Sequence, residues 1–455
     1  MTPLRYIDAH RQLFLDDLFT FLRFPSISTS PENRVDVHQC GKWLADKFTS
    51  LGFTNIKLNE TPGHPILTGE WMNAGASAPT ILLYGHYDVQ PVDPLELWLK
   101  GPFEPWIDGD RIYARGSADD KGQVWIHVCG LEAQLKTNGK LPVNVKLLIE
   151  GEEEIGSPNL VTFVASHKDE LKADIVVISD TGMFADDLPT LAYGLRGLAY
   201  FQIDLEGPNR DLHSGQYGGA VANPAFELAR IIAQLKTPQG VVTIPGFYDA
   251  VRAPTSEERK EWATLPHSDT EYMAELDVDA IPGEQSFSTL ERLWVRPTLE
   301  VNGLLSGFTG EGAKTVLPAK AMAKISCRLV PDQDFKDIEE KFVAFVTSLC
   351  PPGCKMKVTK HHGGQPVITE RENSFVKAAE RALKDAFGKD PVYTRIGGSI
   401  PITAAFKETL GLDTVLLGFS QPNENAHSPN EWLSLKNFER GVVTSALFWE
   451  EAAKQ

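Results

Sequence analysis

Four apolar runs of strand length are each followed by carboxylates or histidines, and no other feature constrains the fold as much. Thr80–Tyr84 runs into Gly85-His86-Tyr87-Asp88, and Val143–Ile149 into Glu150-Gly151-Glu152-Glu153-Glu154. Ala173–Ser179 ends at Asp180, and Thr414–Gly418 leads to Asn423-Glu424-Asn425-Ala426-His427. Between the first two runs lies Lys121–Lys136, with apolar residues at helical spacing. Asp119 and Asp120 stand at its start, where carboxylates suit the helix dipole. Strand-length runs alternating with helical stretches predict an α/β fold. In open α/β sheets ligands bind beyond the carboxyl ends of the strands. If these strands are parallel neighbours, four strand ends and one acidic helix start converge on a single crevice.

The middle of the chain changes character. Leu198–Leu205, Thr298–Leu304, Ala321–Leu329 and Lys355–Lys360 alternate in polarity, as half-buried strands do. Asn223-Pro224 opens a helix through Leu235, with Asn as cap and Pro in the first turn, and Phe335–Leu349 is a second amphipathic helix. The order β-α-β-β-α-β predicts a ferredoxin-like α+β sandwich, with Gly240–Arg296 as an insertion after its first helix. The expected organisation is a larger domain from residues 1–195 and 368–455, with a smaller domain, 196–367, inserted into it.

Composition narrows the function. Of 455 residues, 42% are hydrophobic and 23% charged, the balance of a globular protein rather than a disordered one. A net charge of −17 argues against nucleic acid or an anionic membrane as partner. The longest apolar runs fall well short of the ~18 residues a membrane span needs. Leu4, Ile7, Leu15, Leu18 and Leu22 recur at helical spacing among charges, so the first segment reads as an amphipathic helix rather than a secretory leader. Five cysteines in so long a chain make no disulfide framework, and the expected location is cytoplasmic.

The residue types at the crevice then choose the chemistry. Each piece alone is weak: a His-x-Asp pair, a run of glutamates and a helix-capping aspartate all have ordinary structural uses. Their shared position after strands is what points to a site. So many carboxylates in one crevice repel one another unless countercharged, and a cation resolves this. Two divalent ions would balance three carboxylate ligands and a hydroxide. A mixed nitrogen and oxygen set without thiolate suits zinc or manganese, with cobalt also possible.

The segments Gly85–Pro91, Arg115–Gly122, Glu150–Ser157 and Asn425–Ser428 resemble those of the M20 metallopeptidases, and within them the carnosinase-like cytosolic nonspecific dipeptidases. The likeness extends to Asp211–Gly219, Gly312–Pro318, Cys327–Pro331 and Gly397–Pro401, nearly the whole chain. It implies a mixed-sheet dinuclear-metal hydrolase domain with an inserted ferredoxin-like lid and dimerisation domain. Asp119 would bridge both metals through a cis bond to Asp120. His86 and Asp180 would complete one metal, and Glu154 and His427 the other. Asp88 would orient His86, and Glu153 would be the general base for a metal-bridging water that hydrolyses a dipeptide. His213 would polarise the scissile carbonyl from the partner subunit of a homodimer. Thr315, Arg328, Ser399 and His362 would hold the substrate's terminal carboxylate. Ile396 stands where relatives often carry an acidic residue, which bears on specificity.

Within the inserted domain, alternation along Ala321–Leu329 places Arg328 on the face away from that domain's core. It also predicts that His361 and His362 point to opposite sides. An N-acyl amino acid deacylase of the same family is the nearest alternative, since it would keep the metal set. Neither a nucleophile-elbow serine motif nor a phosphate-binding glycine loop is present in the sequence.

Overall fold

The computed structural model describes residues 1–398 and 400–455. Ser399, expected at the substrate site, lies outside them. The chain divides into two compact units, Met1–Tyr193 with Thr369–Thr394 and Ala405–Gln455, and Gly194–Ile368 with Arg395–Ala404.

In the first unit, Thr80–His86 pairs in parallel with Asn144–Glu150 on one side and Ile175–Ile178 on the other. Thr414–Leu416 pairs in parallel with Ile175–Ile178. The parallel neighbours that convergence required are therefore present. Ile66–Trp71 and Thr54–Asn59 extend the sheet antiparallel beyond Asn144–Glu150, which makes it mixed. Parallel strands covered on both faces read as continuous apolar runs rather than alternating ones, and Ile81, Leu82, Val145, Leu147, Val176 and Val177 are all buried.

Helices Pro3–Leu22 and Leu435–Ala452 both pack against Lys121–Asn138. That central helix is buried on every side from Lys121 to Gln134. Its first turn depends on Gly122, because a β-carbon there would lie 1.9 Å from the Ser117 carbonyl oxygen. Glycine thus lets the turn carrying Asp119 fold back against the helix it precedes. The helix ends at Gly139, left-handed with φ 67°, whose N–H bonds to the Leu135 carbonyl.

The second unit holds an antiparallel sheet in the order Thr298–Ser306, Lys320–Leu329, Gly197–Glu206, Lys355–Gly364. With helices Pro224–Ala233 and Phe335–Ser348 this is the ferredoxin-like sandwich. Ala199, Phe201, Ile203 and Leu205 alternate inward with Ala323, Ile325, Cys327 and Leu329. Phe201 stacks on Phe342 with ring centres 3.8 Å apart. Val242, Ile244 and Phe247 from the insertion join this core, so the insertion completes the sandwich rather than hanging from it.

Arg328 lies on the opposite face from this core, in register with Leu198. The expectation for His361 and His362 fails. Pairing with Gly197–Glu206 slips between Lys360 and Gly363, which breaks simple alternation. Both rings consequently meet Tyr200, with His362 stacked at 5.3 Å and His361 edge-on at 5.7 Å.

Candidate metal centre

Three neighbouring parallel strands of the first unit each deliver a donor to one place. His86 closes Thr80–His86, Asp180 follows Ile175–Ile178, and Glu154 lies in the short turn Glu153–Ile155 after Asn144–Glu150. Asp119 precedes the central helix, and its bond to Asp120 is cis. Two groups able to hold an ion result, His86 with Asp119 and Asp180, and Asp119 with Glu154 and His427. In each, donor atoms lie within 4.8 Å of one another.

Asp119 belongs to both groups and divides its oxygens between them. Its Oδ1 is 3.1 Å from His86 Nε2, and its Oδ2 is 2.8 Å from His427 Nε2. His427 Nε2 is also 3.3 Å from Glu154 Oε2, and His86 Nε2 is 4.0 Å from Asp180 Oδ2.

The surroundings aim these donors. The fully buried Asp88 has a carboxylate oxygen 3.4 Å and its carbonyl oxygen 3.1 Å from His86 Nδ1, so Nε2 is left to face the site. The same carboxylate accepts the Glu153 N–H at 3.2 Å and the Glu154 N–H at 3.1 Å. One aspartate therefore orients an imidazole and anchors both glutamates. Gln90 Nε2 donates to Glu154 Oε2 at 2.7 Å, a role that sequence reasoning missed.

Electrostatics supports a cation here. Burial, then the charge of Asp119, pushes the Asp180 carboxyl up to about 7 and Glu154 up to about 8. Burial, with Asp119 and Asp88 nearby, also pushes Glu153 up. Burial opposes ionisation of Asp119 too, but hydrogen bonds from His427 and His86 hold it well below the carboxylate range. The hydrogen bond to Asp119 raises His427 to about 9. Desolvated carboxylates are being forced toward their neutral forms, and divalent ions would let all three ligands ionise. Two imidazoles, three carboxylates and no thiolate fit such ions.

The remaining expected residues lie in the second unit. His213 is in the two-residue strand Leu212–His213, paired with Val316–Leu317 beside Thr315. It is exposed, and its Nδ1 accepts the Gly215 N–H at 3.0 Å. That bond leaves the ring proton on Nε2 in the neutral imidazole, free to donate. Arg328 shares a sheet face with Tyr200, on which His362 stacks. Arg196 holds Gly397 through a 2.7 Å side-chain bond to its carbonyl, and its own N–H bonds to the Gly398 carbonyl.

Residues 82–451 match the model of peptidase family M20/M25/M40. The chain belongs to peptidase family M20. This M20 peptidase is 36% identical over 460 residues to a Cys-Gly metallodipeptidase of Candida albicans, covering 96% of this chain and 94% of that one. It is 30% identical to the human Beta-Ala-His dipeptidase, covering 99% and 92% of the two chains. The M20 family metallo-carboxypeptidase Sso-CP2 of Sulfolobus solfataricus superposes with a TM-score of 0.86 at 34% identity, covering 97% of this chain and 99% of that one.

Proposed function

We propose that the protein is a dinuclear metallodipeptidase that hydrolyses dipeptides with a free carboxyl end. The observation that carries this reading is Asp119, whose two oxygens serve two separate donor groups beside a glutamate, Glu153, that belongs to neither. The metallodipeptidases similar to it over almost their whole length support the same substrate class.

His86, Asp119 and Asp180 would hold one ion, and Asp119, Glu154 and His427 the other. Zinc or manganese suits these donors, with cobalt as a further candidate. When bound, such ions polarise the scissile carbonyl and make water nucleophilic at neutral pH. Glu153 takes the proton from the attacking water and passes it to the leaving amine. His213 donates its Nε2 proton to the carbonyl oxygen as negative charge develops there. Arg328, with Thr315, His362 and Ser399, holds the terminal carboxylate and so sets the distance from that end to the cleaved bond.

Residues 196–367 serve as the lid and dimerisation domain and residues 1–195 with 368–455 as the catalytic domain. His213 acts on the site of the other protomer in a homodimer. The working location is the cytoplasm. Among the described residues no helix is long and apolar enough to cross a membrane.

The test is to strip the metal, restore Zn, Mn or Co separately, and assay free dipeptides, amidated dipeptides, longer peptides and N-acyl amino acids. Metal-restored cleavage confined to free dipeptides is expected. Cleavage of N-acyl amino acids alone would favour a deacylase, and trimming of longer peptides a carboxypeptidase.

A further inference from the structure

The turn Arg115–Asp119, which delivers Asp119, is wrapped around the side chain of a residue more than three hundred positions away. Glu431 is fully buried, and every acceptor direction of its carboxylate is occupied. Its Oε1 accepts the N–H groups of Ala118 at 2.9 Å and Asp119 at 3.1 Å. Its Oε2 accepts the Gly116 N–H at 3.0 Å and Arg115 Nη1 at 2.7 Å. Three main-chain N–H groups converging on one anion form a concave nest, and here the anion is built into the chain.

Glu431 also stands four residues after His427. The Ala114 N–H bonds to the Glu431 carbonyl, continuing the pairing of Trp432–Ser434 with Arg111–Tyr113. Asn425, His427 and Asn430 in the same loop all have left-handed backbones, with φ of 56°, 61° and 61°. Non-glycine residues hold such conformations only where their surroundings impose them. The Asn430 side chain supplies one restraint, accepting from Leu99 N–H and donating to the Leu97 carbonyl. Glu431 supplies another, and among the described residues it is the side chain of this segment that accepts the main-chain N–H of Asp119.

We propose that Glu431 is a positioning residue that fixes the shared carboxylate Asp119 relative to His427, and through them the geometry of both metal ions. The inference rests on the reading of Asp119 as a ligand to both. The physical reason is geometric: a carboxylate shared by two ions must meet both at once, so its backbone has little freedom to drift. Four acceptors facing four donors give one orientation. Glu431→Gln keeps the shape but turns one oxygen into an N–H donor facing N–H donors, so the nest must open.

The test is titration of metal-free protein with Co²⁺, following the visible d–d absorption and the dissociation constants, for wild type, Glu431→Gln and Glu424→Gln. Glu424 is the control, because it is equally buried in the same segment but caps the Ser434 N–H instead. Glu431→Gln is expected to bind Co²⁺ about 10–100-fold more weakly, the scale found when a group supporting a metal ligand is lost, with an altered absorption band. Glu424→Gln should keep the wild-type spectrum whatever it does to thermal stability. A wild-type spectrum and affinity in folded Glu431→Gln overturns the proposal. Failure of wild type to bind two Co²⁺ ions per chain would instead overturn the dinuclear reading. If Glu431→Gln does not fold because Arg115 is left buried and unpaired, Arg115→Met with Glu431→Gln removes that charge and is judged by the same spectrum.

Discussion

Glu153 and Glu154 are adjacent and both anchored by Asp88, yet they are expected to fail in different ways. Glu154 Oε2 faces His427 Nε2 and accepts from Gln90, which is where a ligand belongs. Glu153 belongs to neither donor group. Changing Glu153 to Gln removes a proton acceptor and leaves the Asp88 anchor on its N–H intact. General-base catalysis contributes typically ~10²–10⁴ in rate, so kcat should fall by that factor, about 3–5 kcal/mol in the barrier. Two metal ions per chain should remain. Glu154→Gln instead removes one of three donors from one group, and one ion should be lost or weakened while the His86 group keeps its own. Elemental analysis beside single-turnover assays separates the two. If Glu153→Gln loses an ion and Glu154→Gln retains both, the roles are displaced by one residue and the proton path above is wrong.

Three further outcomes are expected. Mixing inactive His213→Ala with inactive Glu153→Gln subunits should restore partial dipeptidase activity, and inactivity in verified mixed dimers would exclude action across the dimer. Arg328→Ala should lower kcat/KM for free dipeptides by about 2–3 kcal/mol, the scale of a lost charge-assisted hydrogen bond, and amidated dipeptides should be poor substrates of the wild type; equal cleavage of free and amidated forms would refute the clamp. His127 is fully buried between Ser179 and Ser445, and burial holds it down at about 3, against about 6.5 in an unfolded chain. Its neutral form is the folded form, so its contribution is intact above about pH 6.5 and is lost as pH falls toward 3, by up to ~1.4 kcal/mol per unit. Urea unfolding at pH 7 and pH 5 should therefore show about 2 kcal/mol less loss in His127→Gln than in wild type, and parallel losses would contradict this.

The fold was legible where the chain has to obey one period. The apolar runs of the first unit are uninterrupted because both faces of their parallel strands are covered. The central strands of the second unit, Gly197–Glu206 and Lys320–Leu329, alternate because one face packs on helices and the other does not. The break comes at His361 and His362, where a slip in pairing puts both rings on Tyr200, and no local signal in His-His-Gly-Gly specifies that slip. His64 is buried with Nε2 2.9 Å from the Ser28 carbonyl, and nothing in the local sequence Pro62-Gly63-His64-Pro65 signals that partner.

The candidate ligands were legible for a chemical reason. Few side chains can donate to a cation, and these five follow strand ends or open a helix. The residues that aim them were less so. Asp88 was visible only as a neighbour of His86, and its anchoring of both glutamates is made to main-chain N–H groups. Gln90 and Glu431 left no trace, although Glu431 lies within a few residues of His427 and Arg115 within a few of Asp119. A main-chain N–H is the same whatever residue bears it, so a side chain that works by receiving such bonds has no partner to find in the sequence. Its role exists only once the turn Arg115–Asp119 has closed around it. Positioning is therefore a property of the folded loop, while ligation is a property of residue type, and mutational effects on metal geometry should extend beyond the donors to the carboxylates that hold their backbone.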